Sequence, residues 1–550
     1  MKENLLKNFV EWDLSSKKDE YPTEIKKIYY ENHIKLRKKY TNWIGKISIP
    51  FAHDLDWWSS IPASRNPHYS EIFNTICILE TIKKLRKKKI RIKTHSKELY
   101  KLIKLHFKKN IQITLKNNKK KLSNTMYIFQ SIIFQTIIFI IINLLYKKNI
   151  PRTNKLILIN NYPNNNLDKV DRLFQFNKKF LKINRNKIFF IPTILINKNI
   201  IKIWKTINFL YKKNYFFKES ILQFKDLFYA FTYPTRLKKF NTKFKKFNQF
   251  DLSRLIYKEL NDFKCFHSTI IGILNYRFFK RLSSKNLSIK KTFCWHENME
   301  LRGWNYGVRK FFPFTQTFGY QGFTNLPRLM NTIPTEFEEK YKLIPKIIIV
   351  SGRAYVKARK EFYPKLKIKV GPSLILSDVH KNYKKNKKIK FLVILNEFIE
   401  LNLSILDWLE YAVQKNKDLL FYVKKPKILK IDKFIDNKNL KNNIIFCEGN
   451  LPIFLKQAEH VVSCCATSSV IEALGYNCKI IIPQIDPNDP YSLTSIKVPK
   501  KMFKFFKDKN KFLEYLNDQN SQKKTNKVNF HKYRNYFFEK LSIKKENMFI

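Results

Sequence analysis

The stretch SCCATSSVIEALGYNCKIIIPQ, Ser463–Gln484, decides the fold of this chain. An apolar run ends at Ser463, the hydroxyl-bearing residues Thr467, Ser468 and Ser469 follow, and a helical pattern then leads into a second apolar run. A strand, a polar turn, a helix and another strand in so short a stretch are typical of a parallel α/β layer. The sequence therefore predicts an α/β fold with polar residues at the end of a strand.

The hydroxyl-bearing turn is also a candidate binding site. Hydroxyl groups and free backbone N–H groups lie together at such a helix start, and the helix dipole favours an anion there. The turn therefore predicts a phosphate contact at Thr467, Ser468 and Ser469, with Glu472 one turn inside the helix as an acceptor for ribose hydroxyls. An ordinary helix cap explains the same residues, because Ser469 and Glu472 have capping-box spacing.

Apolar runs separated by helical patterns continue upstream of this stretch. The runs KIKFLVILNEF, DLLFYVKKP and NNIIFCEGN predict a doubly wound α/β domain over 366–520. Earlier runs, among them NKLILINNYPNNN and KIIIVSGRAYV, predict a first α/β domain over 46–365, with helical and apolar insertions at about 120–150 and 200–290. A helical extension over 1–45 and a C-terminal helix over 521–550 complete the predicted organisation.

The composition is strongly basic, with 108 Lys and Arg against 43 Asp and Glu and a formal net charge of +65. Such a charge favours a polyanionic partner, either nucleic acid or an anionic membrane surface. The excess is spread along the whole chain, and Lys, Asn, Ile and Phe all have AT-rich codons, so compositional drift accounts for much of it. Without a zinc, RRM or helix-turn-helix signature, we expect anionic lipid and no specific nucleic acid as partner.

The cysteines and the N-terminus indicate the compartment. The 7 cysteines have no CxxC spacing, which predicts neither a disulfide framework nor a metal site and fits a reducing cytoplasm. The N-terminal sequence has no continuous apolar stretch before its acidic residues, so we expect no signal peptide. An uncharged run, Met126–Tyr146, has lysines on both sides. It is long enough to span a bilayer, but its polar residues also fit a buried or interfacial helix at the inner membrane.

Polar residues follow further predicted strands, where ligands of α/β proteins gather. Each also has a structural explanation, as a helix cap, a helix charge or a packed polar neighbour of tryptophan. These candidates are His296, Glu297 and Asn298 in one turn, Tyr320 and Gln321 at a strand end, Ser351, Gly352 and Arg353 in another turn, and Asn396.

Two segments carry a resemblance to known proteins. Residues 365–520 resemble the donor-binding domain of GT-B glycosyltransferases, in which a strand, a Ser/Thr turn and an E-A-L helix contact the nucleotide-sugar. The segment WHENMELRGWNYGVRKFFPFTQTFGYQGF resembles bacterial surface-carbohydrate biosynthesis proteins through its E-N turn and G-Y-Q strand end, and DWWSS fits that group loosely. The glycine-rich phosphate loop of many donor domains is missing, which leaves the donor nucleotide open.

The resemblance implies a GT-B-like fold of two Rossmann-like domains facing a cleft, and a metal-independent glycosyltransferase without a cofactor. Glycosyl transfer needs a base, for which Glu297 and His296 are the candidates, with Arg302 pairing with Glu297 or a phosphate. The candidates for donor binding are the turn at 467–469 with Glu472, Asn396, and the Ser351–Gly352–Arg353 turn. Asn298, Tyr320 and Gln321 are the sugar- or acceptor-binding candidates, with Tyr320 as a stacking surface.

The expected substrates are a nucleotide-sugar donor and a surface polysaccharide or lipid-linked glycan acceptor, at the cytoplasmic side of the inner membrane. Two alternatives stay open. A polyol-phosphate transferase on the same fold would use His296 at a strand end. A non-enzymatic nucleic-acid-binding protein would explain the charge but not the polar strand ends.

Overall fold

The computed structural model describes most of the chain, with gaps. The described residues are 9–16, 20–107, 111–116, 124–146, 155–163, 187–194, 199–212, 215–296, 301–321, 329–374, 376–380, 388–396, 399–426, 442–464, 469–485, 502–521, 531–540 and 542.

Within these ranges the strands form three sheets in which every described pairing is parallel. The N-terminal sheet contains β1 (Val10–Asp13), β2 (Ile90–Thr94) and β3 (Ile111–Leu115). The first six-stranded sheet contains β4 (Leu156–Asn161), β5 (Ile188–Pro192), β6 (Ile289–Trp295), β7 (Gln316–Gln321), β8 (Ile347–Val350) and β9 (Ile368–Val370). The second contains β10 (Ile389–Ile394), β11 (Phe421–Lys424), β12 (Ile444–Cys447), β13 (Ala458–Val462), β14 (Lys479–Pro483) and β15 (Phe503–Phe506).

Helices connect and cover these sheets. In the described part of the chain they are α1 (Thr23–Lys35), α2 (Arg37–Ser48), α3 (Leu55–Trp58), α4 (Ile61–Ser64), α5 (Ile72–Lys84), α6 (Lys97–His106), α7 (Asn124–Leu145), α8 (Ile200–Lys212), α9 (Phe224–Phe231), α10 (Tyr233–Arg236), α11 (Ser253–Leu260), α12 (Phe266–Ser283), α13 (Leu301–Phe311), α14 (Glu336–Lys340), α15 (Val356–Arg359), α16 (Ile399–Lys415), α17 (Leu451–Gln457), α18 (Ser469–Gly475), α19 (Lys509–Ser521) and α20 (His531–Phe537).

The second six-stranded sheet has the strand order β12-β11-β10-β13-β14-β15, which is the Rossmann order 3-2-1-4-5-6. Its strands are apolar on both faces: Phe391 and Val393 face the cluster that contains α16 and α19, while Leu392 and Ile394 face the cluster that contains α18. The first six-stranded sheet has the order β5-β4-β6-β7-β8-β9. The predicted fold class, with two Rossmann-like parallel units in a GT-B-like tandem, is confirmed by this topology.

The N-terminal sheet was not expected from the sequence. Residues 1–45 were predicted to be helical, but Val10–Asp13 forms a strand that pairs with β2, and helices begin at Thr23. The segment VEWD is too short to show strand periodicity, and its only deeply buried residue is Trp12. Its partner strand lies about 80 residues along the chain, so only tertiary structure pairs the two.

The final helix connects the two six-stranded units. The backbone N–H of Glu539, just after α20, donates to the carbonyl oxygen of Ser351 at 2.7 Å. Phe537 and Phe538 belong to one apolar cluster with Val350 of the first unit and Leu474 of the second. The helix therefore packs against both units and fixes how they contact each other.

Candidate functional site

Each six-stranded sheet has one point where the strand order reverses, and ligands of open α/β sheets bind outside the carboxyl ends of the strands there. In the first sheet this switch point lies between β4 and β6, whose carboxyl ends are at Asn161 and Trp295. In the second it lies between β10 and β13, which end at Ile394 and Val462. Two of the residues predicted from sequence lie just after these strands: His296 is the first residue after β6 and Asn396 is the second after β10.

The first switch point has several buried polar side chains that are only half satisfied. Asn160 donates to the hydroxyl of Thr193 at 3.0 Å, and Asn161 donates to the hydroxyl of Tyr215 at 3.1 Å. The Oδ1 atoms of both asparagines are buried and accept no hydrogen bond from any residue of the described ranges. Buried polar groups are normally paired, so two such oxygens at a switch point indicate a place for a hydroxyl-bearing ligand.

Gln321 adds a third oxygen of this kind on the neighbouring strand. Its Nε2 donates to the carbonyl oxygens of His296 at 3.2 Å and Thr332 at 2.9 Å. Its Oε1 is buried, and the described part of the chain supplies no donor to it. β4, β6 and β7 are successive strands, and their register puts Asn160 and Gln321 on the same face of the sheet at its carboxyl end, with Asn161 on the opposite face.

His296 follows β6, the strand between β4 and β7, and is a neutral imidazole. Burial lowers the pKa of His296 to about 4; Arg359 and Arg302 act in the same direction, and the charge of Glu338 opposes them. Its Nδ1 is buried and has no partner among the residues that the structure describes. At neutral pH a neutral imidazole has one ring nitrogen free to accept a proton, as a base requires, although a pKa near 4 makes it a weak base.

The charges around His296 form a buried ion network that the sequence did not reveal. Glu338 accepts from Arg65 at 2.9 Å, from Arg302 at 2.6 Å, and from both the N–H and the hydroxyl of Thr335. The arginines and the hydrogen bond from Thr335 outweigh burial and lower the pKa of Glu338 to about 2. The network holds α13 and α14 against the DWWSSIPAS segment, so it positions the site and does not form part of it.

Arg302 was expected to meet Glu297 or a phosphate, and the structure assigns it to this network instead. It donates to the carbonyl oxygens of Trp58 at 2.8 Å and Ala63 at 3.0 Å, in addition to Glu338. The side chain is 7% exposed and lies over the ring of Trp58. A guanidinium committed to three fixed acceptors is a structural connection and not a free phosphate contact.

Tyr320 requires a correction. It was predicted to stack on a sugar, but its side chain is 0% exposed. Its hydroxyl donates to the carbonyl oxygen of Pro372 at 2.7 Å and accepts from the N–H of Leu374 at 2.9 Å. Side chains alternate along a strand, so Tyr320 and Gln321 lie on opposite faces of β7. Tyr320 therefore fixes the connector between the two units.

The Ser351–Gly352–Arg353 turn lies under the C-terminal helix. A Cβ on Gly352 would lie 2.2 Å from the carbonyl oxygen of Phe537, so this position needs glycine for close packing of the helix, and not for the anion approach that was predicted. The Oγ of Ser351 is buried and finds no partner in the described ranges, whereas Arg353 is exposed. Of the three, Ser351 is the residue with a buried polar atom that has no partner in the described ranges.

At the second switch point, Asn396 connects the two central strands. Its Nδ2 donates to Sγ of Cys464 at 2.9 Å, and its backbone N–H and carbonyl oxygen are both bonded to the side chain of Asn402. Ser463 donates to the carbonyl oxygen of Ile394 at 2.6 Å. Asn396 therefore holds the end of β13 in place, directly before the turn that was predicted to bind the donor.

The helix after that turn lies toward the first unit. A Cβ on Gly475 would be 2.6 Å from Cγ1 of Val379 in the connector and 3.3 Å from the ring of Phe538 in the C-terminal segment. Ser469 begins this helix, and Glu472 is half-buried in its first turn. Thr467 and Ser468 lie outside the described residues, as do Glu297 and Asn298, so their predicted roles stay predictions.

Sequence reasoning missed Asn160 and Asn161, although the Asn-rich run NNYPNNN after an apolar strand was a signal for them. It also missed Thr193 and Glu338, whose roles depend on partners distant in sequence. Among the described residues, no group of three or more His, Cys, Asp or Glu side chains is placed to hold a metal ion.

No protein-family model and no curated protein matches the chain. Solved structures with similar architecture include the glycosyltransferase of kitacinnamycin, at 8% identity and a TM-score of 0.38 over 68% of this chain and 92% of that one. The α,α-trehalose 6-phosphate synthase of Burkholderia multivorans is similar at 9% identity and a TM-score of 0.38, over 72% and 93% of the two chains. S. aureus TarM, in complex with UDP, fondaparinux and α-GlcNAc-glycerol, is similar at 17% identity and a TM-score of 0.34, over 50% and 57%. Similarity at this level does not indicate a shared activity.

Proposed function

We propose that this protein is a glycosyltransferase that moves a sugar from a nucleotide-sugar to a glycan acceptor. The observation that carries the proposal is the pair of buried amide oxygens of Asn160 and Gln321, which lie on the same face of the first sheet at its switch point. Acceptor atoms without donors bind hydroxyl groups, and a sugar presents several hydroxyls on one face. His296 directly follows β6, the strand between those of Asn160 and Gln321, which makes it the candidate base for a reacting hydroxyl.

The second sheet supports the donor half of the proposal. Its Rossmann order places the ends of β10 and β13 at the position where nucleotides bind in such sheets. Asn396, Ser463 and Cys464 fix the backbone there by hydrogen bonds. The donor would thus lie against the second unit and the acceptor against the first, with Glu297 or His296 taking the proton of the acceptor hydroxyl.

Thermal unfolding in the presence of CMP-, UDP-, GDP- and dTDP-sugars tests this proposal. We expect one nucleotide class to raise the melting temperature of the full chain, because a ligand that binds only the folded state stabilises it. Glu472→Gln should weaken this shift, whereas Glu448→Gln, an exposed carboxylate of the same unit, should leave it unchanged. Glu297→Gln should keep donor binding but lower transfer by about 100-fold or more.

The same measurement separates the alternatives. Stabilisation by CDP-glycerol or CDP-ribitol but by no nucleotide-sugar would show the polyol-phosphate transferase instead. If no nucleotide conjugate raises the melting temperature, the proposed function is wrong.

We further propose that the protein works at the surface of an anionic membrane. Helix α7 is long and apolar enough to cross a bilayer by length and composition. One of its faces is buried against the protein, and the other exposes Phe129, Ile133, Ile140 and Leu144. Asn143 donates to the carbonyl oxygen of Glu219 at 3.1 Å near the end of the helix, which holds α7 to the protein.

Helix α8 extends this apolar surface. It packs on α7 through a shared cluster and exposes Ile200, Ile201 and Trp204. Exposed aliphatic and aromatic side chains on a protein of net charge +65 suit the interfacial layer of a bilayer with anionic headgroups. An anchored helix with one buried face lies on such a surface and does not need to cross it.

Co-sedimentation with vesicles that contain phosphatidylglycerol tests the membrane contact. We expect the double variant Phe129→Gln and Leu144→Gln to bind at least tenfold more weakly, since each side chain would lose apolar burial in the membrane. Phe314→Gln is the matched control, because Phe314 is 98% exposed but belongs to neither α7 nor α8. Equal binding by the double variant and the control would rule out this surface.

A further inference from the structure

A cavity of about 410 Å³ lies in the N-terminal unit, apart from both switch points. It opens at the carboxyl ends of β1 and β2, where Leu14 and Thr94 line it, and extends to the first turn of α6. Its volume is in the range of small-molecule sites, and the carboxyl edge of a parallel sheet is where such sites form.

Two largely buried residues, Tyr21 and Thr75, contribute hydroxyl groups to the lining of this cavity. Tyr21 is 7% exposed and Thr75 is 4% exposed, and the described residues include no hydrogen-bond partner for either hydroxyl. The ring of Tyr21 is fixed by edge contacts with Trp12 at 5.7 Å and Tyr29 at 5.8 Å, so its hydroxyl cannot turn away. A hydroxyl that is fixed in position and has no protein partner is available to hydrogen-bond a ligand.

The charges at the cavity indicate which ligand fits. Lys97 and Lys258 are balanced by Glu71 and Glu98, and Lys258 pairs with Glu71 at 2.9 Å. A balanced lining is notable in a chain of net charge +65, because a phosphate or polyanion site would be basic. Equal numbers of these acidic and basic side chains, two hydroxyl groups and the amide of Asn74 suit a neutral polyol.

We propose that this cavity binds a neutral monosaccharide unit of a glycan, at a site separate from the reacting centre. Its role as an anchor for the acceptor glycan rests on the proposed glycosyltransferase function, but sugar binding itself does not. The free hydroxyls of Tyr21 and Thr75 bond to sugar hydroxyls, and the paired charges disfavour a phosphorylated sugar.

Saturation-transfer NMR on the full chain tests binding directly, with methyl α-D-glucopyranoside, methyl N-acetyl-β-D-glucosaminide and glucose 6-phosphate as probes. We expect transfer to at least one of the neutral glycosides and little to the phosphate. Tyr21→Phe and Thr75→Val should each weaken binding about fivefold, the effect of one hydrogen bond. Because these hydroxyls have no partners to lose, neither variant should lower the melting temperature.

Tyr100→Phe and Thr114→Val, in the same unit but outside the cavity lining, are matched controls and should bind as the wild type does. The proposal is overturned if neither glycoside receives saturation, if glucose 6-phosphate alone does, or if the two cavity variants bind as well as their controls. Neither cavity variant should change the stabilisation by a nucleotide-sugar. If the chain binds a neutral glycoside but no nucleotide-sugar raises its melting temperature, the sugar site is supported and the proposed glycosyltransferase function is wrong.

Discussion

Replacing Glu338 by glutamine should destabilise the protein by about 3–5 kcal/mol, the usual cost of removing one partner of a buried ion pair. Glu338 is 3% exposed and neutralises Arg65 and Arg302, which are themselves 3% and 7% exposed. Without its charge, two buried guanidinium groups lose their shared counter-ion. Urea unfolding of the variant and the wild type measures the difference.

Glu336→Gln is the control for this change, because Glu336 is exposed on the same helix. It should cost less than about 1 kcal/mol, the value of a charge near a helix N-terminus. Equal stability of the two variants would show that the buried network contributes nothing to the fold.

The network also predicts how stability depends on pH. The pKa of Glu338 falls from 4.5 to about 2 on folding, so its stabilising contribution is complete above the unfolded value and is lost as the pH falls toward the folded one. The difference in unfolding free energy between wild type and Glu338→Gln should therefore shrink as the pH is lowered from about 5 to about 2.5. A difference that stays constant over this interval would contradict the assignment.

Replacing Gly303 by alanine should have a comparably large effect. A Cβ there would lie 1.8 Å from the carbonyl oxygen of Gly272, where α13 crosses α12. Alanine normally favours a helix over glycine by about 1 kcal/mol, so a loss of stability would come from the clash alone. Because the obstacle is backbone, the two helices must separate, and we expect a cost above the usual range of about 1–3 kcal/mol for overpacking.

Gly307→Ala is the comparison, one turn further along the same helix. Its Cβ would meet the ring of Phe279 at 3.0 Å and the backbone Cα of Tyr276 at 3.1 Å, and shifts of a few tenths of an ångström relieve both contacts. In thermal unfolding, the melting temperatures of the wild type and of Gly307→Ala should both lie well above that of Gly303→Ala. Gly303→Ala should also impair transfer, because α13 follows the turn that contains His296. A Gly303→Ala variant as stable as the wild type would refute this account of the helix crossing.

Much of the architecture could be predicted because a parallel strand is buried on both faces. Runs such as KFLVIL must be apolar throughout, and the structure places their successive residues in two different cores. The polar turns at the strand ends were equally visible, since a strand that stops at a ligand crevice is followed by residues such as His296 and Asn396. The N-terminal sheet was missed because β1 has only 4 residues.

The roles of individual side chains were less predictable. Tyr320 and Gln321 are adjacent in sequence, yet one fixes the connector and the other presents a free oxygen at the carboxyl edge. Gly352 looked like a glycine for anion approach, but the group that approaches it is the carbonyl oxygen of Phe537, from the far end of the chain. The neighbouring residues in the sequence indicate neither of these differences in role.

The sequence by itself determined that this chain forms tandem parallel α/β units with polar strand ends, because burial and turn chemistry act on neighbouring residues. The tertiary structure alone decided which polar atoms remain without partners. Asn161 ends one strand and His296 follows another, and these two strands pair across more than a hundred residues. The hydrogen bonds at this edge of the sheet likewise join residues from different segments of the chain. Hydrogen-bond satisfaction is a property of the folded neighbourhood, and it is this property that distinguishes a candidate site from a helix cap.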